Sequence, residues 1–196
     1  MIKKILLMCS LLILTQNLMA NEQKELEQKF LKKINDVILI VENKTFSKDE
    51  RNSNIVTTLT TMFDFELMAK LSLGKTWKKL NKEDKLNFVK LYVKRMKRSY
   101  SSKIDAYSNE KVEVTKIKQP KANRIALITN LISNDNKLEI VYKYYKPKRQ
   151  KANKDLWLIY DVEIIGVSIL KTDKAQFKEY LQTKSISQLM NELNKK

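Results

Sequence analysis

The sequence predicts an α+β fold, a four-stranded antiparallel curved sheet wrapped by N-terminal and C-terminal helices. Three observations carry this. Apolar residues recur at helical spacing up to about residue 107, alternate at strand spacing from about 111 to 168, and then return to helical spacing. The strand-like runs are joined by short links, which favours antiparallel neighbours. Helices that are segregated from strands along the chain define α+β, not the alternating pattern of a parallel sheet.

Residues 1–20 read as a cleavable signal peptide. Lys3 and Lys4 open it, the apolar stretch from Ile5 to Leu14 is too short to span a bilayer, and Leu18-Met19-Ala20 ends it before a highly charged stretch. Cleavage after Ala20 removes Cys9, so residues 21–196, read as a single domain, contain no cysteine; this suits an oxidising compartment. It also takes Lys3 and Lys4 from the 39 Lys and Arg, leaving a net charge of +15 against the +17 of the whole chain.

Element by element, Leu26, Phe30, Ile34, Val37 and Val41 form the stripe of an amphipathic helix over 22–43. Ser47 and Glu50 stand in capping-box spacing before a helix over 48–63. Asp64 caps a third over 65–73, which Gly74 stops. Asn81 opens the longest helix, 82–107, whose apolar sector is too wide to face solvent. Strands follow at 111–118, 124–133, 137–146 and 155–168, rich in Val, Ile and Tyr and divided by Gln119-Pro120, Asn134-Asp135-Asn136 and a basic loop around Pro147. Helices over 173–182 and 185–193 close the chain.

Composition removes whole classes of chemistry. With no His there is no His-activated nucleophile and no His-ligated zinc; with two Gly there is no glycine-rich phosphate loop. A paired-carboxylate hydrolase would have to use Asp161 and Glu163, which share a strand face with Trp157 and Ile159 under strict alternation. Plentiful lysines nearby make a structural ion pair the better reading. Net charge attracts anionic surfaces. An exported chain meets no chromosomal DNA, so nucleic acid is not expected as a partner. Lys94, Arg95, Lys97 and Arg98 read as a solvated helix face. Lys143, Lys146, Lys148, Arg149, Lys151 and Lys154 crowd one hairpin, where like charges repel unless a partner compensates. Anionic headgroups or an acidic protein surface would serve. Phe65, Met68, Leu71, Trp77, Phe88, Leu91, Tyr92, Met96 and Tyr100 make an apolar stripe that either fills a core or lines a cavity. From the residues alone the chain is an exported, basic binding domain and not an enzyme.

Asp64-Phe65 with Met68-Ala69, then Leu73-Gly74 with Trp77, then Phe88, Tyr92 and Tyr100, and finally Trp157, Tyr160-Asp161-Val162 and Gly166-Val167-Ser168 occur in the order seen in one family. In these the chain resembles the MlaC family of periplasmic phospholipid-binding proteins, also called toluene-tolerance auxiliary components. It departs from the family at Ile165, where Glu is frequent, at Lys174 and Ala175, where Arg is common, and at Ser185, where Gly stands. The resemblance implies an NTF2-like sheet with a helical subdomain enclosing an apolar pocket for phospholipid acyl chains. Pocket candidates are the stripe from Phe65 to Tyr100 with Tyr142, Trp157, Ile159 and Val167. It further implies a monomeric shuttle without cofactor or metal, serving outer-membrane lipid asymmetry. Its implied partners are an inner-membrane ABC transporter with an MCE-domain ring and an outer-membrane lipoprotein–porin complex. The rival readings are an interaction module with a filled core and the carboxylate hydrolase.

Overall fold

A computed structural model describes residues 2–105, 110–133 and 136–195, with side chains from residue 21 onward except at 99–109 and 134–135. Among the described residues, six helices surround one sheet: α1 (Ile2–Glu42), α2 (Lys48–Thr60), α3 (Phe65–Leu73), α4 (Lys82–Asp105), α5 (Ile169–Thr183) and α6 (Ile186–Lys195). A single continuous helix, α1, covers both the leader-like stretch and the amphipathic segment that follows it.

Local chemistry sets the helix ends. Ser47 and Glu50 form the expected capping box on α2, and Asp64 accepts the Leu67 amide at the start of α3. Gly74 ends α3 at φ +55°, a conformation that costs a β-carbon-bearing residue roughly 1–2 kcal/mol; a 3-10 turn, Gly74–Lys79, then leads to α4. Asn81 Oδ1 accepts the Asp84 amide at 2.8 Å and so opens α4. The start of α5 lies four residues earlier than the sequence suggests, because Ser168 is its cap and accepts from the Lys171 amide at 3.0 Å. Ser185 and Gln188 exchange bonds at the start of α6.

The sheet has five strands in the order β1-β2-β3-β4-β5, all antiparallel: β1 (Lys111–Lys121), β2 (Arg124–Ser133), β3 (Asn136–Tyr145), β4 (Leu158–Ile164) and β5 (Val167–Ser168). The expected fourth strand over 155–168 is therefore two strands. Ile165 and Gly166, both at positive φ, turn the chain back on itself to add the two-residue β5.

Register decides which face each residue takes. Ile117, Leu127, Tyr142 and Val162 stand side by side across four strands, as do Ile125, Tyr144 and Ile159 across three. These rows form the apolar face. A bulge between Lys143 and Tyr144 shifts β4, so that Asp161 pairs with Lys143 while Ile159 pairs with Tyr144. Strict alternation had put Ile159 on the face of Asp161 and Glu163; the extra residue of the bulge separates them.

Where β5 stops short, the other edge of β4 is taken by the link between α2 and α3. Ile159 donates to Met62 O at 2.8 Å, and Asp64 donates to Ile159 O at 2.9 Å. This short parallel bridge, Phe63 to Ile159, fixes where α3 leaves the sheet.

Candidate functional site

The apolar interior is divided in two. A helical cluster joins Met68, Ala69, Leu73, Trp77, Leu80, Phe88, Tyr92 and Met96 to Phe177 of α5 and Leu189, Met190 and Leu193 of α6. A sheet cluster joins Leu26 and Phe30 of α1 and Met62 to Ile125, Leu127, Tyr144, Trp157, Ile159 and Val162. The half-buried side chains of Phe63 and Ile169 pack against both clusters and make a seam between the layers. Phe63 stacks on Phe65 with ring centroids 5.3 Å apart.

The expected pocket residues are distributed across this division. Met68, Trp77, Phe88, Tyr92 and Met96 belong to the helical cluster, with half-buried Phe65 and Leu91 packed on it. Leu71 is half-buried and belongs to neither cluster. Tyr142, Trp157 and Ile159 belong to the sheet cluster. Val167 is 60% exposed at the turn into β5 and joins neither. The side chain of Tyr100 lies outside the described residues. Sequence reasoning left Phe30, Met62, Phe63, Tyr144 and Ile169 out of the pocket set. Phe30 packs on Tyr142 with centroids 4.7 Å apart, a contact across 112 residues of chain that no local pattern announces.

Two concavities adjoin the clusters. One, of about 30 Å³, lies beneath α1, between Leu26, Phe30, Met62, Tyr144 and Trp157. A cleft of about 410 Å³ opens beside α4, α5 and α6, with Phe177, Tyr180, Leu189 and Leu193 on its walls and Arg95 and Arg98 at its margin.

Polar networks bind the layers together, and most of them draw on the basic residues. Lys143 pairs with Asp161 at 3.2 Å and with Glu163. Burial disfavours its charge, but the two carboxylates outweigh burial and hold its pKa above the usual lysine value. Asp161 also accepts Ser168 Oγ at 2.8 Å and the Leu170 amide at 3.1 Å, so it anchors the start of α5. That arrangement uses Asp161 and Glu163 as structural ion-pair partners. Lys146 reaches Glu22 of α1 at 2.6 Å and lies over the Trp157 ring. Lys151 pairs with Asp64 at 2.9 Å and with Glu66 at 3.3 Å. Lys154 donates to the carbonyls of Thr60 and Phe63. Burial lowers its pKa.

The hairpin cluster therefore finds its compensation within the chain. Of its six cations only Lys148 and Arg149 are fully exposed. A similar correction applies to the basic residues of α4, read as a solvated face. Arg95 pairs with Asp173, which also accepts Tyr92 Oη at 2.8 Å; Lys94 and Arg98 donate to Asn194 and Leu193 at the C-terminal end of α6. Cations are favoured at a helix C-terminus, where carbonyls have no intrahelical partner. Lys94 and Lys97 remain exposed, as a solvated face requires, while Arg95 and Arg98 are half-buried.

These features define an α+β protein with a two-layered apolar interior open to cavities at its margins. The sequence matches the MlaC protein family over residues 31–195, and the chain belongs to that family. No curated protein matches it. Among solved structures, the fold is similar to that of a phospholipid-binding protein from Ralstonia solanacearum solved in complex with a phospholipid. The TM-score is 0.72 at 15% identity, covering 86% of this chain and 94% of that one.

Proposed function

We propose that this protein is a periplasmic phospholipid carrier. It shuttles lipid between an inner-membrane ABC transporter with an MCE-domain ring and an outer-membrane lipoprotein–porin complex, and so maintains outer-membrane lipid asymmetry. The observation that carries the reading is the family match across residues 31–195, which takes in both apolar clusters. Residues 1–20 act as the export signal, and 21–196 as the carrier domain, monomeric and without catalytic machinery.

Physical cost explains why such a carrier needs an interior of this kind. At about 0.8 kcal/mol per methylene, two long acyl chains cost on the order of 20 kcal/mol to expose to water. In this reading the chains lie along the seam at Phe63 and Ile169, between helical walls that include Phe65, Met68, Leu91 and Met96 and sheet walls that include Tyr142, Trp157 and Ile159. The layers are tied at their edges by hydrogen bonds and ion pairs, while the side chains of Phe63 and Ile169 make apolar contacts with both layers. Such contacts are non-directional, and chains can slide between them without leaving polar groups unpaired.

Incubation of the purified protein with labelled phospholipid vesicles, followed by removal of the vesicles, tests this reading. About one lipid per chain should remain in solution with the protein. A supernatant containing folded protein and no lipid would refute it. Within the hairpin cluster, the exposed Lys148 and Arg149 steer the carrier onto anionic surfaces.

A further inference from the structure

The turn between β4 and β5 leaves two apolar side chains in solvent. Ile165 is 69% exposed and Val167 60% exposed. Between them, a β-carbon added to Gly166 would meet nothing within 4 Å, so the turn stands clear of the rest of the fold. Ile165 also holds φ +49°, a conformation unfavourable for a β-branched residue, and its side chain gains little contact in return. Strain kept at an exposed apolar residue points to a contact made outside the chain. Its amide donates to Glu139 O at 3.0 Å, and β5 pairs with β4 behind it, so the tip is fixed in place.

Behind this tip the surface is basic. Ser168 ends β5 and caps α5, and its hydroxyl accepts the Lys171 amide at 3.0 Å, so Lys171 stands in the first helical turn after the tip. Lys174 and Lys178 follow at steps of three and four, which puts all three on one side of α5. α3 packs against α5, and Lys174 reaches its end: Lys174 Cε lies 3.6 Å from where a β-carbon on Gly74 would be. Lys75, the next residue, therefore stands beside the same stripe. All four lysines are exposed, and none has a side-chain ion pair or hydrogen bond among the described residues. Asp173, the one carboxylate between Lys171 and Lys178 in the chain, is buried and held by Arg95 and Tyr92, while exposed Glu179 offsets one charge of the four.

We propose that the β4–β5 turn and the lysine stripe of α5 form a docking surface for an anionic lipid bilayer, with Ile165 and Val167 entering the headgroup layer and Lys75, Lys171, Lys174 and Lys178 lying over the phosphates. Apolar side chains that lead and cations that follow are the arrangement of an interfacial membrane contact. A convex tip also favours a fluid surface, which closes around it, over a protein, which would need a matching pit. The surface goes beyond the carrier reading and stands without it, since it concerns where the protein rests and not what it holds.

The test is co-sedimentation of the full-length protein with vesicles of mixed phosphatidylethanolamine and phosphatidylglycerol, or of phosphatidylcholine alone. At about fivefold per net cation near the surface, four lysines less Glu179 predict an anionic preference of about a hundredfold. Lys171→Gln combined with Lys178→Gln should weaken anionic binding about twentyfold at low salt and much less at high salt. Ile165→Asn, which suits the turn, should weaken it about tenfold at either salt. Neither variant should lower the urea midpoint, because these side chains are exposed. An environment-sensitive dye on Val167→Cys, in a chain carrying Cys9→Ser, should shift its emission to the blue on anionic vesicles. No anionic preference, unchanged binding by either folded variant, or a dye that still reports water would overturn the surface. Absence of vesicle binding by folded protein would also overturn it and leave the lysines to an acidic protein partner. Docking by protein that holds no lipid would defeat the carrier reading alone.

Discussion

Asp64 joins α3, the end of β3 and the basic loop after it, and its removal tests how the layers are held together. It is 2% exposed. Its carboxylate accepts the Leu67 amide at 3.0 Å as the cap of α3, pairs with Lys151 at 2.9 Å, and accepts Tyr145 Oη from the end of β3. Burial alone would raise its pKa, but Tyr145, Lys151 and the Leu67 amide more than offset burial and hold it below the usual carboxylate value. Asp64→Asn keeps an oxygen for the cap and loses the charge. Because Lys151 is about one-third exposed and can turn to water, its share is small, and the expected cost is about 2 kcal/mol. Asp64→Ala also loses the cap, worth about 1 kcal/mol, and strands the Tyr145 hydroxyl, for a total of about 3–4 kcal/mol. In a chain of this size each kcal/mol lowers Tm by about 2–4 °C.

Urea denaturation at neutral pH should show both midpoints falling with unchanged slope. The pH dependence has a definite sign. A carboxylate with a depressed folded pKa stabilises the fold above its unfolded value, near 3.9, and that stability is lost as pH falls through the folded pKa. The gap between the unsubstituted chain and Asp64→Asn should therefore narrow below about pH 4. A midpoint unmoved by Asp64→Ala, or a gap that is constant from neutral pH down to pH 2, would refute this reasoning.

Three further outcomes are expected. Ile165 is a β-branched residue at φ +49° with its side chain 69% exposed, so Ile165→Asn should relieve strain and raise stability by about 1 kcal/mol, seen as a Tm increase of about 2–4 °C. Phe88→Ala should cost about 3–5 kcal/mol in urea denaturation, because Phe88 is fully buried between Tyr92 and Phe177. Reversing only Lys148 and Arg149 to Glu should leave the urea midpoint within about 0.5 kcal/mol and slow lipid transfer to anionic vesicles at low salt. Adding Lys151→Glu should destabilise the fold as well, through Asp64.

Element order and most helix starts are legible in the sequence because their causes are local. Ser47 with Glu50, Asp64, Gly74 and Asn81 act within three or four residues of themselves, and the α+β class follows from where the hydrophobic period changes. Long-range facts are not written in that way. The bulge opposite Lys143 separates Ile159 from Asp161, and only the pairing of β3 with β4 reveals it. The loop cations look unsatisfied because Glu22, Asp64, Glu66, Asp161 and Glu163 are scattered over more than 140 residues of chain. The seam residues show the same limitation. Phe63 reads as the last turn of a helix and becomes part of a bridge to β4, while Ile169 falls between an expected strand and an expected helix and becomes the first residue of α5. Val167 fits the apolar rhythm of β4, but the turn at Ile165 and Gly166 carries it to the surface.

Mass spectrometry of an organic extract of the protein, purified from an envelope fraction without detergent, tests the central claim most directly. The account predicts diacyl phospholipid in a ratio approaching one per chain. An extract free of phospholipid, from protein whose near-ultraviolet circular dichroism shows a packed aromatic core, would contradict it and favour an interaction module with a filled interior.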